Sequence, residues 1–239
     1  KTDRKHPVLK GEVKIQSGIG HMSALSPDGN TYWITNIGAG TRTTYVIDLS
    51  DASNPKVLPA VNYPESAYPG PGRIHEIMLN PPDFPTKGTE GGVWMYGGKL
   101  SSGGANPGTF VIVDVSDYQH RSATPEAPIV SNLAMDPGTL EPQVPMMIGG
   151  HPYIMSMDEA GGASGFGDWA TACEAGASSF GYPTIIDVSD QKNPRIVAKL
   201  WFEVNDPVNC ERLRQATPPD IPGTAAGTKQ VVDLNPGIA

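Results

Sequence analysis

Short β-branched runs broken by turn residues dominate the chain, and three of them share one ending. Tyr45–Pro55 (YVIDLSDASNP), Phe110–Gln119 (FVIVDVSDYQ) and Thr184–Pro194 (TIIDVSDQKNP) each pass through consecutive apolar positions into an Asp-hydrophobic-Ser-Asp turn. A second apolar run follows each: Lys56–Val61, Pro128–Leu133 and Pro194–Phe202. Two strand-like runs precede each: His21–Leu25 with Thr31–Thr35, Ile74–Leu79 with Val93–Tyr96, and Val144–Ile148 with Tyr153–Met157. Ser26-Pro27-Asp28-Gly29 and Gly149-Gly150-His151-Pro152 carry the turn chemistry of hairpins. Unbroken apolar runs in the third strands, in place of alternation, predict sheets covered on both faces. Val46, Ile47, Val111, Ile112, Ile185 and Ile186 are therefore expected to be buried.

Each unit reads as four antiparallel strands, and a four-stranded unit repeated along a chain is the pattern of an all-β, β-propeller fold. The competing arrangement is a β-sandwich holding three unrelated hairpins. The repeat recurs about every 65–75 residues, longer than common propeller repeats, with the excess in Gly-rich insertions between second and third strands. The expected division is the end of a preceding blade over 1–17, blades over 18–65, 66–136 and 137–206, and a further blade or closing segment over 207–239. Asp3–Val13 resembles an outermost strand, and Gln230–Asn235 a third strand without a fourth. Either these ends close a ring of four blades, or the chain is part of a longer propeller; the second is favoured. The remainder of such a chain would then be a partner.

The composition narrows the classes. With 24 prolines and 28 glycines among 239 residues, a helical bundle is disfavoured. A formal net charge of −8 argues against nucleic acid, which needs a basic face. No apolar stretch reaches the roughly 20 residues of a membrane-spanning helix.

The repeated V-I-D-V-S-D-x-x-N-P turn, with the apolar run behind it, resembles the LVIVD-repeat β-propellers across most of the chain. Pro194–Cys210 (PRIVAKLWFEVNDPVNC) is similar to a segment of uncharacterised bacterial members, whose chains continue into further blades. A more distant resemblance is to the selenium-binding and methanethiol-oxidase propellers, in which channel histidines hold a metal. This chain departs from them, having no His-x-x-His pair and no dense histidine cluster. The resemblance implies a fold and leaves the activity open.

The Asp-x-Ser-Asp turns recur in every unit, as a structural device does, so hydrogen-bonded turns are expected there and not calcium sites. His21 and His75 open the first strands of adjacent units, which in a propeller line the central channel. Neutral imidazole is a common transition-metal ligand, so these two are the candidate metal ligands, completed by Glu76, Glu141 or groups elsewhere. The alternative is that both histidines hydrogen-bond backbone between blades. His151 falls in a hairpin turn at the opposite end; the counterpart of His21 in the third unit lies near Glu141–Gln143. Arg73 and Glu76 at the second first strand, with Phe166 and Trp169 in the insertion 160–182, are the candidate ligand-binding residues. Cys173 and Cys210 lie in connections of one face, where a disulfide would tie down the insertion and imply an oxidising compartment, extracellular or periplasmic. Buried thiols, or a bond to a cysteine elsewhere, remain open alternatives. No catalytic triad or zincin motif is present, and catalytic residues are not assigned. Two functions follow: a small-molecule site at the channel mouth of a metal-assisted enzyme, or a non-catalytic secreted or cell-surface propeller that binds a protein partner through its loops.

Overall fold

The computed structural model describes residues 5–15, 20–36, 43–63, 74–84, 90–99, 108–159, 161–162 and 166–216. The chain is mostly β. Its strands are β1 (Gly20–Leu25), β2 (Thr31–Asn36), β3 (Thr43–Asp48), β4 (Lys56–Val57), β5 (Val61–Asn62), β6 (Ile74–Leu79), β7 (Trp94–Lys99), β8 (Thr109–Asp114), β9 (Ile129–Ala134), β10 (Leu140–Ile148), β11 (His151–Asp158), β12 (Thr184–Asp187) and β13 (Arg195–Lys199). They form three antiparallel sheets in simple sequential order: β1-β2-β3-β4 with β5 also on β3, β6-β7-β8-β9, and β10-β11-β12-β13. The fourth strand of the first sheet is interrupted between β4 and β5 at residues 58–60, which include Pro59, although the Leu58 N–H still donates to the Val46 carbonyl at 2.9 Å.

The unbroken apolar runs have a direct cause in packing. In the middle sheet, alternate residues enter different cores. Met95, Val111 and Val113 pack with Trp33, Val46 and Tyr63 of the first sheet. Tyr96, Phe110 and Ile112 pack with Leu140, Ile154 and Ile186 of the third. Five of the six third-strand residues named above are buried and Ile185 is half-buried. Its row on the outer face of the third sheet, Val144–Met155–Ile185–Ala198, is half-buried to exposed, because no described sheet covers that side.

Turn chemistry repeats with the strands. Asp48, Asp114 and Asp187 each accept the backbone N–H two residues on, from Ser50, Ser116 and Ser189, at 2.9–3.0 Å. Asp51 and Asp190 do the same for Ser53 and Lys192. These carboxylates hold the strand exits by Asx-turns. Gly149 and Gly150 sit at φ of +58° and +82°, the two positive values a tight hairpin between β10 and β11 requires. His151 is exposed beside this turn, at the far end of the sheet from Glu141.

Among the described residues helix occurs in short pieces: Ser116–Gln119, Trp169–Glu174, Cys210–Ala216 and two single 3₁₀ turns, with Gly162 and Phe166 also in helical conformation. The described part of the segment after 207 is thus helical, and residues 7–15 join no ladder among the described residues. Cys173 and Cys210 form a disulfide with Cα atoms 5.7 Å apart, joining the helix in the insertion to the one after the third sheet. Buried Asn205 fastens the same layers, donating to Ser178 Oγ and the Phe180 carbonyl.

At the outer rim, Arg121 clasps the first sheet to the second. Its guanidinium donates to the Asn30 carbonyl, to Thr31 Oγ1 and to Asp48 Oδ1 at 2.8–2.9 Å. Partial burial pulls the Asp48 pKa upward, but hydrogen bonds from Arg121 and Ser50, with the Arg121 charge, outweigh it and hold the group at about 2. Arg121→Ala is expected to lower stability by about 2 kcal/mol near neutral pH, the scale of a charged hydrogen-bond set with one partner removed. A depressed carboxylate stabilises the fold above its unfolded pKa of 3.8, and that contribution fades as pH falls toward about 2. The difference between wild type and variant in urea denaturation should therefore shrink from about pH 6 to about pH 3; an unchanged difference would show that the Asp48 charge is not what Arg121 serves.

Candidate metal centre

The first strands of the three sheets lie side by side, with β6 between β1 and β10. Each carries one extra residue at its entrance. Between the pairs Gly20↔Asn36 and Ser23↔Ile34, β1 advances three residues while β2 advances two. From Ile74↔Lys99 to Glu76↔Gly98, β6 advances two against one. From Leu140↔Asp158 to Gln143↔Ser156, β10 advances three against two. His21, His75 and Glu141 lie at these three bulges. A bulge breaks the alternation of side-chain direction, so the consecutive His75 and Glu76 are both drawn into one cluster and both buried.

Hydrogen bonds and one close backbone approach fasten the bulges. Buried Thr35 of β2 accepts from the Met22 N–H at 3.1 Å and donates to the His75 carbonyl at 2.8 Å. Gly98 of β7 permits the approach of β10: a Cβ there would stand 2.5 Å from Leu140 Cβ and 2.8 Å from Gln143 Nε2. Gln143, fully buried, donates in turn to the Glu141 carbonyl.

The imidazoles of His21 and His75 stack with ring centroids 4.2 Å apart and planes 23° from parallel. His21 Nε2 is 4.0 Å from Glu76 Oε1. His75 Nδ1 lies 3.3 Å from both the Leu140 carbonyl and Glu141 Oε1. Both neighbours are acceptors, so Nδ1 carries the proton and the Nε2 lone pair is the one a metal would take. One nitrogen or oxygen from each of His21, His75 and Glu76 lies within 4.8 Å of the others. Ligand bonds of about 2.0–2.2 Å put two atoms on one ion no more than ~4.3 Å apart, so small side-chain rotations close the group around an ion.

The carboxylates crowd one another. Burial, then the adjoining Glu141 carboxyl and the charges of Glu141 and Glu159, push the Glu76 pKa well above the ordinary range. Partial desolvation by its neighbours and the Glu141 carboxyl also raise Glu159, although the residue stays exposed, and the His75 and His21 charges oppose them. Among the described residues, Glu76 Oε2 is buried with no hydrogen-bond partner. A buried carboxylate oxygen without a donor is unfavourable by ~1–3 kcal/mol or more, and a cation would satisfy it.

Of the candidates read from the sequence, the fold brings together His21, His75, Glu76 and Glu141. Arg73 lies outside the described residues. Phe166 and Trp169 are half-buried within the insertion, where the Trp169 carbonyl accepts from Ser179. Among the described residues, no hydrogen bond or ring stacking joins either aromatic to the cluster. Glu159 and Thr35 were not legible as site residues. The acidic pair Asp158-Glu159 at the exit of β11 was the available signal, since the Leu140↔Asp158 pairing sets that exit beside Glu141.

No family model and no curated protein matches the chain. Among solved structures it is similar to hydrazine synthase of Kuenenia stuttgartiensis, with 13% identity and a TM-score of 0.33 over 77% of this chain. The match spans 55% of that chain, and a likeness of this size carries no argument about chemistry.

Metal-free protein should lose stability as pH rises. Glu76 titrates in the folded state above its reference value of 4.5, so the native state holds the extra proton and loses its advantage as that proton leaves. The melting temperature after chelation is expected to fall between about pH 5 and about pH 8, and Glu76→Gln should flatten that slope. Parallel slopes for the two proteins would show that carboxylate crowding at Glu76 does not govern the alkaline limb.

Proposed function

We propose that the chain is a LVIVD-type β-propeller, or part of a longer one, carrying a transition-metal centre where its first strands meet, and that the metal serves chemistry on a small molecule at the adjoining loop face. The fold reading is supported by the sequential four-stranded sheets and by half-buried apolar residues on both outer faces of the stack. These are Tyr32, Ile34 and Tyr45 at one end and Val144, Met155 and Ile185 at the other, as expected where further blades pack. The observation that carries the metal is the His21–His75–Glu76 group, in which Glu76 also holds a buried oxygen, Oε2, that has no hydrogen-bond partner among the described residues. Mixed imidazole and carboxylate donors suit zinc, manganese or iron. Such an ion would supply Lewis acidity and an activated water. The chain's own contribution is to orient His75 through the Leu140 carbonyl. The Cys173–Cys210 bond supports an oxidising, extracellular or periplasmic setting. Among the described residues no helix is long and apolar enough to cross a membrane.

A second reading keeps the same fold without catalysis: a secreted or cell-surface binding module in which the histidines fasten neighbouring sheets. The observation favouring it is the Thr35 hydroxyl and the Leu140 carbonyl, which already engage the His75 backbone and ring.

Elemental analysis separates the two. Protein purified without chelators, or reloaded with Zn²⁺, Mn²⁺ or Fe²⁺, is expected to retain at least one ion per chain through gel filtration. His21→Ala, at a half-exposed position, should fold normally and bind the ion at least tenfold more weakly, as losing one ligand does. Wild-type protein that emerges without metal under every loading condition rejects the centre and leaves the fastening role.

A further inference from the structure

The five imidazole and carboxylate groups do not converge on one point. They form two triads with His75 in common: His21, His75 and Glu76, then His75, Glu141 and Glu159, each with its ligand atoms within 4.8 Å of one another. The carboxyl groups of Glu76 and Glu141 adjoin each other at the boundary between the triads. We infer that the centre holds two divalent transition-metal ions, one toward His21 and His75 and one toward Glu141 and Glu159, with the Glu76 and Glu141 carboxylates between them. This rests on the metal-binding reading above and extends it.

The ligand chemistry favours the division. His75 has one lone pair to give, because the Leu140 carbonyl and Glu141 engage its Nδ1 proton. That lone pair goes to the first ion, beside His21. The second ion then rests on carboxylate oxygens alone from Glu141 and Glu159, and a carboxylate with two oxygens can span both. Paired ions in such centres stand ~3.5–4 Å apart, a separation that one carboxylate bridges. A single ion at the histidines would leave the Glu141–Glu159 pair facing each other with only the neighbouring imidazoles to offset them. The two positions differ in access: at the first, His75 and Glu76 are buried and His21 is half-exposed, whereas at the second Glu141 is half-buried and Glu159 exposed. The carboxylate position is therefore the more readily exchanged of the two.

Titrating chelator-treated protein with Mn²⁺, followed by calorimetry, elemental analysis and electron paramagnetic resonance, tests this directly. Wild-type protein should saturate at two ions per chain and show an exchange-coupled spectrum. Glu159→Gln, at an exposed position, should saturate at one ion per chain with an uncoupled six-line spectrum, and circular dichroism should confirm that it folds. His21→Ala should weaken the first ion at least tenfold. Saturation of wild type at one ion, or retention of two coupled ions by Glu159→Gln, overturns the two-ion centre while leaving a mononuclear one intact. Saturation at none removes both readings.

Discussion

The close approach of β6 to β1 on one side and β10 on the other governs the rest of the molecule. Both faces of the middle sheet are consumed by it, one against Trp33 and Val46, the other against Ile154 and Ile186. The approach is set by backbone as much as by side chains. Gly98 leaves room for Leu140, and the Thr35 hydroxyl bridges two bulges that belong to different sheets. Because close-packed interiors transmit small displacements, a shift at these contacts would move the histidines with the strands that carry them.

This packing creates an electrostatic conflict and its remedy together. The bulges turn three entrance residues, with Glu76 and Glu159, into a small volume. Carboxylates in mutual contact resist ionisation, and a buried oxygen without a donor is unfavourable. A site that is uncomfortable without a counter-ion and supplied with two imidazoles has the composition of a metal centre. The same crowding serves no purpose for a sheet held only by apolar contacts, which the rest of the interface already provides.

Away from the centre, the insertion between β11 and β12 behaves as a folded appendage. Its helix is capped by Asp168 and stapled through Cys173, and Tyr182 packs against Trp201 beyond the third sheet. Tyr182 thus helps hold this appendage to the chain that follows β13. The exposed neighbours Leu200, Trp201 and Phe202 continue the same surface.

Much of the architecture was legible in the sequence, because it follows from local rules repeated three times. Asp48, Asp114 and Asp187 mark strand exits since a short carboxylate reaches the amide two residues on, whatever the surroundings. The unbroken runs at Val111–Val113 and Ile185–Ile186 announced buried strands, and Gly149-Gly150 a hairpin. The correspondence of His21 with His75, and of both with the region of Glu141, also followed from the repeat. Local rules did not reveal the extra residue at each first strand, the split of the first sheet's fourth strand around Pro59, or the helix after 207. The sequence by itself determined the four strand-like runs of each unit and their order; their starts match at Thr31, Lys56, Ile74 and Thr184 and differ by one to four residues elsewhere. Only the tertiary structure decided that consecutive His75 and Glu76 enter one cluster, that Glu159 joins it from the exit of another strand, and that Thr35 binds two bulges. Those outcomes depend on backbone irregularities and contacts between sheets, and both are fixed by packing over distances that no spacing along the chain records.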